Sequence, residues 1–325
     1  METRPMAPRI VFVTNFPDSA TRAREMAPAG FEFIPAKAGS AAYKEAIASA
    51  QYLVGFVAEL IRTELYGAAK QLKLIQLLSA GYDSADIHAA REAGIAVANN
   101  GGANAVAVSE HALLLMLAVS RQLVRQHRLV RNGQWRGDQT PRLFELRGKT
   151  LGIIGLGSIG KKVAHLGNAF GMQITYFDIA RLDEAQEDAL NVRFRLLNEL
   201  LAQSDYVSLH VPLNPSTHHL IDAQALALMK PGAFLINTAR GPVIDEQALI
   251  HALKEEQIAG AGLDVFDDEP PPAGNELFDL DNVVLTAHMA GPTFESHTAR
   301  LRNAFDNVQR VQRGEAPLWV IPELA

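Results

Sequence analysis

The sequence predicts an α/β protein of two doubly wound domains, each with a parallel sheet, and a cleft between them. Three observations carry this expectation. Short apolar runs alternate with helix-like segments in two successive series along the chain. The runs are apolar throughout rather than at every second residue, as strands covered on both faces must be. The chain has 325 residues, and at roughly 100–200 residues per domain that is about two domains.

The first series places strands at 9–14, 31–35, 52–56, 73–78 and 95–98, with helical spacing between them, as in 41–50 and 87–92. A single long helix is expected next, over about 104–131, closed by Gly133. The second series places strands at 150–154, 174–177, 206–210, 233–237, 261–265 and 283–286, with helices at 159–170, 223–229 and 246–254. A last helix, about 293–311, lies beyond the second sheet. A chain that leaves the first domain, builds the second and returns gives domains of 1–103 plus 293–325 and of 104–292.

The second series opens on Gly155-Leu156-Gly157-Ser158-Ile159-Gly160. An apolar run precedes this turn and a helical run follows. The next strand ends in Asp178, close to the expected ~20 positions further on. In that setting the turn is a Rossmann-type dinucleotide fingerprint. Gly155 permits the tight turn, Gly157 lets the backbone approach a pyrophosphate, and Gly160 lets helix and strand pack closely. The helix N-terminus supplies free N–H groups and a positive dipole end. Asp178 can accept hydrogen bonds from both ribose hydroxyls and would repel a 2′-phosphate, which favours NAD(H) over NADP(H). Arg181 works against this preference, since an arginine can accommodate that phosphate.

Three polar sites follow later strands of the same sheet, where a doubly wound fold opens its crevice. Asn237-Thr238-Ala239-Arg240-Gly241 carries an arginine able to grip a carboxylate, or simply a surface arginine. Asp264-Val265-Phe266-Asp267-Asp268-Glu269-Pro270 is rich in carboxylates, and a plain acidic loop is the alternative. Thr286-Ala287-His288-Met289-Ala290-Gly291 ends a strand on a histidine, a general acid/base near neutral pH or a structural histidine. Together they make a set: a cation for the substrate, a base for the proton, an acid to orient the base. Glu269 beside His288 would favour imidazolium, which could donate a proton to a carbonyl as hydride arrives.

Bulk properties narrow the choice. The net charge of −6 and the lack of a basic tract argue against nucleic acid or an anionic membrane as partner. The absence of cysteine excludes disulfides, thiolate metal sites and a cysteine nucleophile, and no metal site is expected. The first ten residues contain no apolar core of a signal peptide. The longest apolar stretch, 112–119, falls well short of the ~18–20 residues that cross a bilayer. The expectation is a soluble cytoplasmic protein.

These residues resemble the D-isomer-specific 2-hydroxyacid dehydrogenases, the group that includes phosphoglycerate, glycerate/glyoxylate and D-lactate dehydrogenases. The resemblance spans roughly 72–296. It is carried by Leu78-Ser79-Ala80-Gly81-Tyr82-Asp83, Val108-Ser109-Glu110-His111, Gly148-Lys149-Thr150, the glycine turn, Leu209-His210-Val211-Pro212-Leu213, Met229-Lys230-Pro231-Gly232 and the three strand-end sites. It implies a D-2-hydroxyacid dehydrogenase or 2-oxoacid reductase with a catalytic triad of Arg240, Glu269 and His288. The glutamate before the proline is selected over Asp267 and Asp268. The resemblance further implies that Ala80 and Gly81 hold the substrate carboxylate with Arg240, from a flavodoxin-like first domain. Asp264 is expected to face the nicotinamide carboxamide, with His210 and Pro212 near the adenosine. Thr238, Ala239, His288 and Gly291 are expected around the cofactor. The helix at 104–131 would build a homodimer.

Two positions depart from the family pattern: Ala287 stands where proline is common, and Ser158 where arginine is frequent. Ala287 puts the placement of His288 in question. Glu269 argues against formate dehydrogenase, which pairs its histidine with glutamine, and Ala80 against phosphite dehydrogenase, which carries lysine there. No regulatory extension is expected after the last helix. A NAD-sensing, corepressor-like binding protein on the same scaffold is the alternative from another class, and turnover of 2-oxoacids separates the two.

Overall fold

The computed structural model describes residues 7–136 and 142–324. Residues 1–6, part of the N-terminal stretch read for a leader, lie outside these. The chain divides into two units, 1–104 with 293–325 and 105–292.

The first unit alternates strand and helix: β1 (Arg9–Val13), α1 (Pro17–Met26), β2 (Glu32–Ala36), α2 (Ala41–Ile47), β3 (Tyr52–Gly55), α3 (Thr63–Ala68), β4 (Leu74–Leu77), α4 (Ile87–Ala93) and β5 (Ala96–Ala98). The strands form one parallel sheet in the order β2-β1-β3-β4-β5. The unbroken apolar runs have the expected cause, since the period-2 alternation of side chains feeds two cores. Ile10 and Phe12 point into one core, and Val11 and Val13 into the other. The returning helix completes the first of these cores with Leu301, Ala304, Phe305 and Val308. Burying each such leucine or phenylalanine contributes roughly 1.5–3 kcal/mol, which ties residues after 293 to strands near the N-terminus.

The second unit begins with α5 (Ala105–Ser120) and α6 (Leu123–Arg131). The single helix expected over 104–131 is therefore two. Gln122 adopts a left-handed backbone with φ 48, and the two axes bend by 60°. The reason lies in what each half packs against. α5 is buried along most of its length, while α6 has no buried residue. Leu123 and Val124 continue the apolar spacing but lie on the surface. Among the described residues no single helix is long and apolar enough to cross a membrane.

The order continues as β6 (Thr150–Ile154), α7 (Ser158–Ala169), β7 (Gln173–Phe177), α8 (Glu184–Leu190), β8 (Val192–Phe194), α9 (Leu197–Gln203), β9 (Tyr206–Leu209), α10 (Ala223–Leu228), β10 (Phe234–Asn237), α11 (Glu246–Lys254), β11 (Gly260–Leu263) and β12 (Val283–Leu285). The chain then returns through α12 (Phe294–Gln312), whose N-cap Thr293 accepts the Ser296 N–H at 3.1 Å. The second sheet is parallel and seven-stranded, in the order β12-β11-β10-β9-β6-β7-β8. The strand β8 is the one the sequence reading leaves out. Helix α5 packs close to β11 because glycine leaves room. A Cβ at Gly262 would stand 2.8 Å from Leu115 Cβ, and one at Gly260 would stand 3.1 Å from Val119 Cγ2.

Candidate active site

Sheet order places the site within the second unit. The first strand of its Rossmann series, β6, lies inside the sheet between β9 and β7, and the order reverses between β6 and β9. Beyond such a switch point a crevice opens at the strand C-termini. Gly155 leaves β6 with φ 92, a left-handed value that favours glycine. A Cβ there would meet His210 O at 2.6 Å, and one at Gly160 would meet the Gly155 carbonyl oxygen. Gly157 differs, since a Cβ there meets nothing within 4 Å. Two glycines are thus required by the protein's own backbone, and the third faces open space above the α7 N-terminus.

Hydrogen bonds fix the turn from below. Gly155 N–H donates to Phe177 O at 2.9 Å and Leu156 N–H to Asp178 Oδ2 at 2.7 Å. The Leu156 side chain is in the core, at 4% exposure. Ser158 is exposed and Ile159 half-buried in the first turn of α7. Asp178 also accepts the Ala180 N–H at 3.1 Å. Arg181 is engaged elsewhere: its Nε lies 3.1 Å from Glu187 Oε1, and its guanidinium lies over the Phe194 ring. Burial alone would raise the Glu187 carboxyl, but hydrogen bonds from Tyr176 and Arg181 outweigh it and hold the group below its ordinary value.

His210 follows β9 and donates its backbone N–H to Ile154 O at 2.8 Å. Its Nε2 lies 2.9 Å from Ser208 Oγ, and loss of hydration pushes the imidazole down to about 3. His210 Nδ1 and Thr238 Oγ1 are buried without a hydrogen-bond partner among the described residues. Pro212 is exposed. The open Gly157 face and orphaned polar atoms past β9 and β10 fit a polar ligand lying across the switch point, as a dinucleotide would.

The three strand-end sites converge in the same unit. After β10, Asn237 braces its loop. Its Oδ1 accepts Ala239 N–H at 3.0 Å, and its Nδ2 donates to Arg240 O at 2.9 Å. Arg240 Nη1 donates to Ala239 O at 2.7 Å. A Cβ at Gly241 would meet the backbone of Phe266 and Asp267, so the loops after β10 and β11 are in contact. In the second loop Glu269 Oε1 accepts Phe266 N–H at 3.2 Å. Glu269 Oε2 lies 2.6 Å from His288 Nδ1. An ionised carboxylate only accepts, so against it Nδ1 carries the proton. Both side chains are partly exposed, at 37% and 48%.

His288 has φ 52, a conformation uncommon for a residue bearing Cβ. It is held because His288 N–H donates to Asp264 O at 2.8 Å. Asp264 is fully buried, and its carboxylate accepts hydrogen bonds from Thr286, Met289 and Ala290, all within the unit. Gly291 is buried beyond them. Asn237, Thr286 and His111 brace this site, His111 Nε2 lying 2.9 Å from Thr286 Oγ1, and the sequence marks each only as a member of a longer motif. Ala80 and Gly81 belong to the first unit. Their turn follows β4, with Ser79 Oγ donating to Gly81 O at 2.7 Å and Asn99 Nδ2 to Ala80 O at 3.3 Å.

Comparison with known proteins identifies the family. The family described as D-isomer specific 2-hydroxyacid dehydrogenase, NAD binding domain, matches residues 113–290. Glyoxylate reductase from Thermofilum pendens is 42% identical over 268 residues, covering 82% of this chain and 79% of that one. The crystal structure of a glyoxylate reductase from Paecilomyes thermophila superposes with a TM-score of 0.85 at 31% identity, over 98% of this chain and 100% of that one. D-Lactate dehydrogenase from Aquifex aeolicus, complexed with NAD and lactic acid, gives a TM-score of 0.82 at 29% identity, over 94% and 96%. The chain belongs to the D-isomer-specific 2-hydroxyacid dehydrogenase family and is an enzyme of that class.

Proposed function

We propose that the protein interconverts a D-2-hydroxyacid and its 2-oxoacid with NAD(H), using His288 as general acid/base. The observation that carries this reading is the 2.6 Å bond between His288 Nδ1 and Glu269 Oε2, at a strand end of the sheet that bears the glycine turn. When bound, the nicotinamide supplies or accepts the hydride. Glu269 keeps the Nδ1 proton in place, so Nε2 delivers a proton to the substrate oxygen in reduction and takes it back in oxidation. Reduction consumes one 2-oxoacid, one NADH and one proton, and yields the 2-hydroxyacid and NAD.

Arg240 supplies the cation that holds the substrate carboxylate. The backbone around Gly157, Ser158 and Ile159 takes the pyrophosphate. His210, Pro212, Thr238, Ala239 and Gly291 complete the cofactor surroundings. Asp178 selects NAD(H) over NADP(H), and Arg181, committed to Glu187, does not compensate its charge. Small 2-oxoacids such as glyoxylate are the first substrates to try, given the relatives' names. A homodimer is part of the reading: Leu123, Val124 and Val130 of α6 and Trp135 beyond it are all exposed apolar side chains.

The test is oxidation of NADH in the presence of glyoxylate, hydroxypyruvate, pyruvate and larger 2-oxoacids. Turnover of at least one with D-configured product is expected. A protein that binds NADH and reduces none of them contradicts the proposal.

A further inference from the structure

Behind the catalytic histidine lies a hydrogen-bond system, centred on the buried Asp264, that the reaction itself does not call on. Three consecutive amides end on one residue. His288 N–H donates to Asp264 O, Met289 N–H to Asp264 Oδ1 and Ala290 N–H to Asp264 Oδ2, each at 2.8 Å. Asp264 therefore sets the backbone path on which His288 stands, including its left-handed conformation. The same carboxylate has a further partner: Thr286 Oγ1 lies 2.6 Å from Asp264 Oδ1. Thr286 Oγ1 in turn lies 2.9 Å from Nε2 of His111, a residue of α5. The His111 side chain is 15% exposed and its Nε2 is 3.6 Å from Asp264 Oδ1.

The inventory of donors fixes the direction of this chain. A hydroxyl carries one hydrogen, and an ionised carboxylate carries none. Thr286 thus gives its hydrogen to Asp264. Toward His111 the same oxygen can only accept, so His111 Nε2 holds a proton. The chain runs from imidazole N–H to hydroxyl to carboxylate, and the carboxylate receives the loop amides.

We propose that His111 and Thr286 are positioning residues for the reaction. They orient the Asp264 carboxylate, and through it hold the loop conformation that places the His288 imidazole on Glu269. The proposal rests on the reading of His288 as acid/base. A histidine that merely satisfied a polar group in the core would affect stability and leave turnover alone. A positioning residue affects kcat, because displacing a catalytic group by about 1 Å can cost on the order of 100-fold. The His111 amide analogue is informative: glutamine can still donate to Thr286, whereas leucine fills similar space without a donor.

The experiment compares His111→Leu, His111→Gln, Thr286→Val, Thr286→Ser and the Leu/Val double variant with the wild-type enzyme. NADH is saturating and glyoxylate is the probe, or whichever 2-oxoacid the wild type turns over best. NADH affinity and the thermal midpoint are measured alongside. Leu and Val variants are expected to lose roughly 10- to 100-fold in kcat with NADH affinity within about twofold. Gln and Ser are expected to recover most of the rate. The double variant should be no slower than the worse single one, since both break one chain.

The proposal is overturned if His111→Leu keeps kcat within about twofold. It is equally overturned if Gln and Ser rescue nothing, or if the two losses multiply. Should His111→Leu not fold, the Thr286→Ser and Thr286→Val pair, a change of one hydroxyl, decides alone. His288→Ala separates this failure from failure of the underlying reading. If that variant keeps wild-type turnover, both fall. If it collapses while His111→Leu does not, only the positioning role falls.

Discussion

The Asp178 carboxylate accepts two backbone N–H groups, from Leu156 at 2.7 Å and Ala180 at 3.1 Å. Its negative charge is thereby fixed at the end of β7, beside the glycine turn. A 2′-phosphate brought there meets a like charge, with repulsion on the order of 1–4 kcal/mol. Asp178→Ser should therefore raise kcat/KM with NADPH relative to NADH by about tenfold or more. An unchanged ratio would point to another discriminating residue. Arg181 shows why sequence alone left the question open. Position put it near the ribose, while its commitment to Glu187 and Phe194 depends on packing that spacing does not reveal. His210 carries a pH dependence of its own. Its folded value of about 3 lies below its ordinary 6.5. The unfolded chain therefore binds the proton more readily between those values, and stability falls as pH drops through that window. His210→Asn should flatten this fall. Urea midpoints followed from about pH 7 to about pH 4 check it, and parallel curves for variant and wild type would refute the assignment. Arg240 and His288 stand out in the sequence because each lies three residues past the end of an apolar strand, whereas only the family resemblance distinguishes Glu269 from Asp267 and Asp268. The role of His111 was not legible, because one histidine in an apolar helix looks the same whether it braces a site or fills a core.

The glycine turn separates two uses of the same residue type. A Cβ at Gly160 would collide with the Gly155 carbonyl oxygen, whereas one at Gly157 meets nothing within 4 Å. Gly160→Ala should lower the thermal midpoint and NADH affinity together. Gly157→Ala should leave the midpoint within a degree or two, about the scale of a neutral surface change, yet weaken NADH binding. Equal effects at both positions would remove the argument that the Gly157 face receives the cofactor. Elements also mark where sequence reading fell short. The strand β8 spans Val192–Phe194 at the sheet edge, with only Val192 fully buried. Three residues with one buried are too few to establish a period. Helix α8 did carry a signal, the reciprocal cap between Asp183 and Gln186. The break after α5 was masked because Leu123 and Val124 kept the helical spacing while leaving the core. Ala287 is exposed, and it does not prevent the His288–Glu269 bond.

Across the whole molecule, the two sheets follow from one rule applied twice. The inner strands are apolar on both sides because helices cover both faces. The chain passes through the first unit, the second and back, and α12 closes the first unit's core with Phe305 and its neighbours. The exposed apolar side chains of α6 belong to this scale. Val124 and Val130 are 45% and 58% exposed, and a second copy of the chain would cover them. Val124→Glu with Val130→Glu should convert a sedimenting dimer to a monomer of unchanged fold. A wild-type monomer, or a double variant that still dimerises, would refute the dimer through this face. The central claim is tested most directly by one rate comparison: NADH oxidation by wild type and His288→Ala with a reducible 2-oxoacid, with NADH affinity measured on both. Turnover by the wild type is expected, with a loss of roughly 100- to 10,000-fold in kcat for the variant and NADH affinity within about twofold. Undiminished turnover by His288→Ala, or a wild type that reduces no 2-oxoacid, would contradict it.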